Sequence, residues 1–399
     1  MNIPMLRSLS LKRFRSLSSA VLEFDNPTFL VGQNGAGKSN IADAFSFLSE
    51  AMIIPLPAVL DRRRGITSVE YRSTSKRRPS NLGLKVELEN LDTETSRAIY
   101  AFELRGVTDY DFEVVREQCF VLRRDGSLDW FERLPDTFRS STTTLAPALE
   151  ANTLALPLVG GDKRFLPAFR FLSMMRVYRI QPDELREMQD PDQGFRLRFD
   201  GRNAASVLRE IEKRSPNNWQ IIRDLLEKIV PGTTDVRPKA QGDKLSLEFT
   251  QRWAESEQVT FEAHNMSDGT LRVLGLLAAV FQSIPPSVLV IEEPEVTIHP
   301  GGLGSVLDLL RHAGRFMQTI VTTHSPDILD ASWIEDHHLR IVSWEEGETH
   351  IAPVSEASRV ALREHLMGAG ELMRSNALVA ADQYSSDPSE IALFEEDLK

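Results

Sequence analysis

Chemistry in this chain is concentrated first in Gly32-Gln33-Asn34-Gly35-Ala36-Gly37-Lys38-Ser39-Asn40. The spacing of Gly32, Gly37, Lys38 and Ser39 is that of a loop whose backbone N–H groups wrap a phosphate chain at a helix N-terminus. Lys38 would reach the outer phosphates, and the Ser39 hydroxyl would ligate Mg²⁺. Gly35 and Gly37 let the backbone approach with no Cβ in the way. Far downstream, Glu292-Glu293-Pro294-Glu295 follows an apolar run. One carboxylate there can hold Mg²⁺, directly or through water, and the next can orient or deprotonate the water that attacks a terminal phosphate. A solvated acidic loop is the other reading open for these three acids. His324, in Thr322-Thr323-His324-Ser325, ends a β-branched run. A single His is ordinarily a surface or satisfied core residue; at the edge of the same sheet it can sense a terminal phosphate. Ser267-Asp268-Gly269-Thr270 precedes an apolar helix, where Ser267 and Asp268 also read simply as an N-terminal cap.

The elements that must position these groups follow from hydrophobic period. Thr28–Val31 reads as a strand entering the glycine loop. Ile41, Ala42, Ala44, Phe45 and Leu48 give Ser39–Ser49 an apolar helical face. Ser287–Ile291 is a continuous apolar run, expected of a strand buried on both faces, so its acids lie where an open α/β sheet places ligands. Alternation predicts two short strands within 5–24, and an antiparallel sheet from runs at 84–88, 99–104, 112–116 and 119–122. Residues 135–165 read as a flexible connection, and 175–180 as a strand. Helical spacing covers 203–213 and 218–229, strands are expected at 245–249 and 259–263, and a helix at 271–281. Between the first helix and the sheet runs Arg62-Arg63-Arg64, then Arg72, Lys76, Arg77 and Arg78, opposed only by Asp61 and Glu70. This stretch reads either as a solvated loop or as a contact for nucleic acid or an acidic partner.

Composition narrows the function classes. The chain has 399 residues, enough for two or three domains, and a net charge of -12 that argues against wholesale wrapping of nucleic acid. Cys119 is the sole cysteine, so neither an internal disulfide nor a Cys/His zinc cluster can be assembled. No window reaches the roughly 18 apolar residues needed to span a bilayer, which predicts a cytoplasmic protein that makes no membrane contact. HEXXH, G-x-S-x-G and Cys/His nucleophile pairs are absent. Asp336-His337-His338 lacks a supporting set of acids and reads as a solvated turn.

Gly32–Ser39, Ser267–Thr270, Ile291–Glu295 and Thr322–Ser325, in this order, resemble the motifs of ABC-type ATPase heads, closest to the SMC-like, RecF-like and OLD-family branch. Over its whole length the chain resembles the stand-alone AAA-family ATPases of that branch found in bacterial antiphage-defence operons. Leu11–Ser16 and Gly370–Leu378 are similar to theirs as well. The resemblance implies an α/β fold, an ABC-ATPase head of the P-loop NTPase class. Such a head has a mixed central sheet, an antiparallel β lobe and an inserted helical lobe, with 1–50 and 171–399 forming the head around an insertion at 51–170. It implies ATP and Mg²⁺ as ligands, with Lys38, Glu293 and His324 catalytic and Ser39, Glu292 and Gln181 at the metal. Gln181 would be the metal-sensing glutamine, and Glu292 stands where an aspartate is commoner. Asn34, Ala36 and Asn40 belong to the phosphate loop. In the implied head-to-tail homodimer, or a higher homo-oligomer, this set faces Ser267, Asp268 and Gly269 of a second copy. Glu295 opens a loop, through His299-Pro300, that crosses to that copy. A separate effector protein, such as a nuclease, is expected, because the 75 residues after His324 are too few for the OLD-type nuclease domain. Two alternatives stand beside this reading. One is a DNA-binding repair ATPase using Arg62, Arg63, Arg64, Arg77 and Arg78; the other is a nucleotide-binding scaffold with little turnover.

Overall fold

The computed structural model describes residues 3–71, 81–141, 147–253, 257–381 and 391–396. A hairpin of β1 (Met5–Phe14) and β2 (Leu17–Glu23) leads to β3 (Thr28–Val31), the glycine loop, α1 (Lys38–Ile53) and α2 (Leu56–Arg62). Then come β4 (Leu82–Glu89), β5 (Thr95–Gly106), β6 (Phe112–Arg123), β7 (Leu128–Leu134) and β8 (Thr137–Ser140). Next are α3 (Leu156–Val159), α4 (Leu166–Ser173), β9 (Arg176–Tyr178), α5 (Pro182–Arg186), α6 (Ala204–Arg214) and α7 (Pro216–Ile229). A three-stranded unit, β10 (Thr233–Gln241), β11 (Lys244–Arg252) and β12 (Gln258–Glu262), precedes α8 (Asp268–Phe281) and β13 (Val288–Glu292). The remainder is α9 (Pro300–Ala313), β14 (Gln318–Thr323), β15 (Leu339–Glu345), β16 (Glu348–Pro353), α10 (Glu356–Arg363) and α11 (Ala369–Arg374).

Two large sheets and α1 make the frame. The antiparallel sheet has the order β2-β1-β4-β5-β6-β7-β8, and the mixed sheet the order β16-β15-β3-β14-β13-β9. In the mixed sheet β9, β13, β14, β3 and β15 run parallel and β16 closes it antiparallel. Phe45 and Phe47 of α1 pack between the sheets, where Leu84 and Phe102 from one meet Val288, Val290 and Ile320 from the other. Leu289, Ile291 and Val321 point the opposite way, into a second core with Leu274 and Leu277 of α8 and Leu310 of α9. That split is why Val288–Ile291 is apolar without a break: both faces of β13 are covered. Among the described residues no helix is long and apolar enough to cross a membrane.

Three local outcomes differ from the sequence reading. The runs at 112–116 and 119–122 are one strand, because Glu117 and Gln118 are buried and bonded within the sheet rather than forming a turn: the Tyr100 hydroxyl donates to Glu117 at 2.9 Å. β8 and α3 lie inside the stretch expected to be a connection, and Phe165, Ala168 and Leu172, at helical spacing and buried, set α4 directly after it. β10 is an unforeseen edge strand with Val236 as its deepest apolar side chain, too few apolar residues to show a period. The strands at 82–140 hydrogen-bond to the N-terminal hairpin through β1 and β4, so the segment assigned to an insertion at 51–170 shares one sheet with residues 5–23.

Candidate nucleotide site

β3 delivers the chain to the C-terminal edge of the mixed sheet, and the loop turns there into α1. Gly35 and Gly37 hold φ of 82° and 103°, the left-handed region that favours glycine. A Cβ on Gly37 would come to 2.0 Å from Thr349 Oγ1. Thr349, on β16, donates its hydroxyl to the Ala36 carbonyl at 3.0 Å, and Gly32 N–H donates to the Thr323 carbonyl at 3.2 Å. The loop is thus pinned from β16 on one side and from β14 on the other. Lys38 is buried, and its ammonium donates to the carbonyls of Gly32 (2.7 Å) and Gln33 (2.9 Å). Among the described residues the amides of Gly35, Gly37, Lys38 and Ser39 have no acceptor in the chain. Together with a cation at a helix N-terminus, these free donors fit a phosphate chain.

The acids end β13 directly beside this loop. Ser39 Oγ donates to Glu292 Oε2 at 2.7 Å, and the Lys38 ammonium lies 4.0 Å from Glu293 Oε1. His324 Nδ1 is 3.3 Å from Glu293 and 3.9 Å from Glu295. Glu295 is buried and accepts from the Thr323 hydroxyl at 2.5 Å and from the His324 amide at 3.3 Å. Glu293 sits at a φ of 46° with its N–H on the Thr322 carbonyl, a turn that aims it off the strand toward Lys38. Burial raises the carboxyl pKa of Glu292 and of Glu295, opposed by the Ser39 and Thr323 hydroxyls respectively. Burial lowers that of Lys38, opposed by the charges of Glu293, Glu295 and Glu292. Paired hard oxygens at Ser39 and Glu292 suit Mg²⁺, which takes one or two protein ligands and completes its shell with water and phosphate. No cluster of three or more His, Cys, Asp or Glu that could hold a metal occurs among the described residues, so an all-protein cage is not what this site offers.

Lys38, Ser39, Glu292, Glu293 and His324 therefore meet at one sheet edge, with Gly32, Asn34, Ala36 and Asn40 in or next to the loop. Asn40 donates to Ser16 Oγ at 2.6 Å, and Ser16 bonds Thr349 at 2.7 Å. Ser267, Asp268 and Gly269 lie elsewhere. Ser267 is the exposed N-cap of α8, accepting from Thr270 N–H at 3.2 Å, and Asp268 pairs with Arg186. Among the described residues no hydrogen bond or ion pair joins these three to the loop. Gly269 packs so closely on the Thr297 carbonyl that a Cβ would meet it at 2.5 Å. Gln181 is exposed at the start of α5, three residues beyond Tyr178, the partner of Ile291 in the register; its side chain bonds none of the acids. Of the basic run, Arg63 is withdrawn into the fold, paired with Asp43 (2.9 Å) and Glu50 (2.8 Å) over the Phe47 ring. Arg62 and Arg64 are exposed, and Arg77 and Arg78 lie outside the described residues. Asp336 is buried and paired with Arg363 at 3.0 Å, not the solvated turn expected of Asp336-His337-His338.

Sequence reasoning missed what lies far along the chain. Glu295 closes the Ile291–Glu295 motif, but its bonds to Thr323 and His324 are not written there, and Thr349 over the loop carries no motif. Arg179 and Arg272 bring positive charge within range of Glu292 and of Glu293 and Glu295 respectively, again without a motif. An open pocket of about 680 Å³ borders the outer side of the loop, lined by Gln33, Asn34, Trp344, Met373, Asn376 and Leu378. Its far wall is the stretch whose resemblance was noted at 370–378.

The model of the AAA_21 family, described as "AAA domain, putative AbiEii toxin, Type IV TA system", matches residues 28–330. Comparison with curated proteins returns no match. Among solved structures, the chain is similar to an Smc head bound to the C-terminal winged-helix domain of ScpA. That likeness has a TM-score of 0.56 at 15% identity and covers 89% of this chain and 99% of that one. It is also similar to an Smc head with an extended coiled coil bound to the C-terminal domain of ScpA derived from Pyrococcus furiosus. Here the TM-score is 0.54 at 14% identity, with 91% and 100% covered. The fold is that of the ABC-type P-loop ATPase head, and the chain belongs to the AAA_21 family of AAA-domain proteins.

Proposed function

We propose that this chain binds ATP with Mg²⁺ and hydrolyses it. The observation that carries the reading is the convergence of Ser39 and Glu292 at 2.7 Å with Lys38, Glu293 and His324 at one helix N-terminus. Lys38 and the free loop amides hold the phosphates. Ser39 and Glu292 would hold Mg²⁺, whose chemistry is to neutralise charge on the outer phosphates. Glu293 takes the proton of the attacking water, and His324 keeps that carboxylate and the terminal phosphate in register. Gln181 follows β9 toward this edge and is the candidate to approach once nucleotide is bound. The test is Glu293→Gln, which should lower steady-state hydrolysis on the order of 10²- to 10⁴-fold with nucleotide affinity kept. Equal rates in the variant and the natural chain would leave a nucleotide-binding scaffold instead.

The functional unit in this reading is a head-to-tail homodimer. Ser267 and Gly269 at the exposed start of α8 complete the partner's site, since a second helix N-terminus supplies partial positive charge and N–H donors to the terminal phosphate. ATP would then act as glue and sensor, with a separate effector such as a nuclease reading the closed state in antiphage defence. The family description, naming a toxin of a type IV TA system, supports that setting. Copurification with a neighbouring gene product tests it. Exposed Arg62 and Arg64 keep a DNA-contacting ATPase as the second reading. It predicts ATP-dependent DNA binding that is lost when both are neutralised together with Arg77 and Arg78.

A further inference from the structure

Residues 391–396 lie on the outer face of the antiparallel sheet, away from α1. Leu393 is 3% exposed and seats against Gly83 of β4, where a Cβ would stand 2.1 Å from Leu393 Cδ1. Glycine within a strand marks a place where another segment approaches closely, and here the segment is visible. Glu395 Oε1 takes the Lys85 ammonium at 2.7 Å. Its N–H donates to Gln118 Oε1 at 3.1 Å, and its carbonyl accepts from Gln118 Nε2 at 3.4 Å. The Arg116 guanidinium lies 4.6 Å from the Phe394 ring centroid. A glycine notch, a two-way amide clasp, a lysine and a cation over an aromatic ring make a built recognition groove. It reads leucine, aromatic and glutamate in succession. The segment forms no strand with the sheet, so side chains and the Gln118 clasp hold it.

We propose that this groove is an exchangeable interaction surface for the C-terminal segment of a second copy of this chain, the chain's own segment filling it in the isolated molecule. The occupant is argued from the groove itself, whose notch, clasp and charges match Leu393, Phe394 and Glu395. The tether sets the condition for exchange. Ten Cα steps separate Ala381 from Ile391, a reach of at most about 35 Å. Such a short tether gives the chain's own segment a high effective concentration, so exchange needs either a concentrated assembly or an own segment that cannot bind. On the other face of the sheet Phe102 packs on Phe47 of α1 at 6.3 Å between ring centroids, so one sheet thickness separates the groove from the helix that carries Lys38 and Ser39.

The test uses two full-length variants without nucleotide, keeping it separate from any ATP-driven dimer. Leu393→Asp disables the segment and leaves the groove; Gly83→Leu fills the notch and leaves the segment. Each alone should be monomeric by light scattering, with a cooperative thermal transition near that of the natural chain. Mixed at tens of micromolar, they should form a heterodimer of doubled mass through one exchanged segment. A labelled peptide of residues 391–399 should bind Leu393→Asp at least tenfold more tightly than the natural chain, and fail to bind Gly83→Leu. Absence of both the mixed dimer and peptide binding to folded Leu393→Asp overturns the proposal, as does equal peptide binding to both variants.

Discussion

At the scale of single residues, the site is set by where charge is confined. Lys38 is tied to two loop carbonyls and faces three carboxylates, so its position does not depend on a bound ligand. Losing charge-assisted hydrogen bonds costs about 1.5–3 kcal/mol each. Lys38→Ala should therefore weaken nucleotide binding roughly ten- to hundredfold, read by titration with a fluorescent ATP analogue. Glu293→Gln should leave the same titration unchanged while removing turnover, and loss of both together would mean that Glu293 holds the site's shape rather than a proton. Glu295 serves Thr323 and the His324 amide with one oxygen, and among the described residues the other, Oε2, has no hydrogen-bond partner. It is thus a support for the His324 turn.

At the scale of elements, α1 links the candidate site to the core. Phe47 is fully buried, edge-on to Phe14 at 5.9 Å and beneath Arg63. Phe47→Ala should cost about 3–5 kcal/mol by urea unfolding; a loss under 1 kcal/mol would mean that the space between the sheets repacks freely. β6 carries a second, pH-dependent feature. Glu117 is fully buried and accepts the N–H groups of Ala155 (2.5 Å) and Leu156 (2.9 Å) at the start of α3. Burial pushes its pKa from 4.5 up to about 6. A carboxyl raised in the folded state binds its proton there more tightly than in the unfolded chain, so stability falls as pH rises from about 4.5 to 6. A shift of this size corresponds to roughly 2 kcal/mol. Glu117→Gln should flatten that part of the stability-against-pH curve relative to the natural chain, measured by urea midpoints at the two ends of the window. An unchanged slope would show that folding does not raise the Glu117 pKa.

For the whole molecule the decisive quantity is solution mass. Glu293→Gln should be monomeric without nucleotide and double in mass with Mg-ATP, because blocked turnover holds any ATP-bridged pair. Adding Ser267→Arg should abolish the doubling by placing a bulky cation at the start of α8, with ATP affinity of the isolated head little changed. Doubling that survives Ser267→Arg would place the contact on another surface.

The sequence by itself determined the phosphate loop, the buried strand ending in acids and the helix that Ser267 caps. Each is written in a contiguous stretch whose period and punctuation are local. Gly32 to Ser39 was legible because backbone wrapping of phosphate demands fixed glycine spacing, and Val288–Ile291 because a strand covered on both faces has no polar side. Tertiary structure decided what crosses between stretches. Thr349 closes over Ala36 from 313 residues away, and Arg63 turns inward to Asp43 and Glu50 although its neighbours face solvent. Only the folded sheet shows that Gln118 meets Glu132 and Glu395. Such pairings depend on which surfaces the packed sheets bring together. Period along a chain reports which face of an element is covered, and it is silent on what covers it.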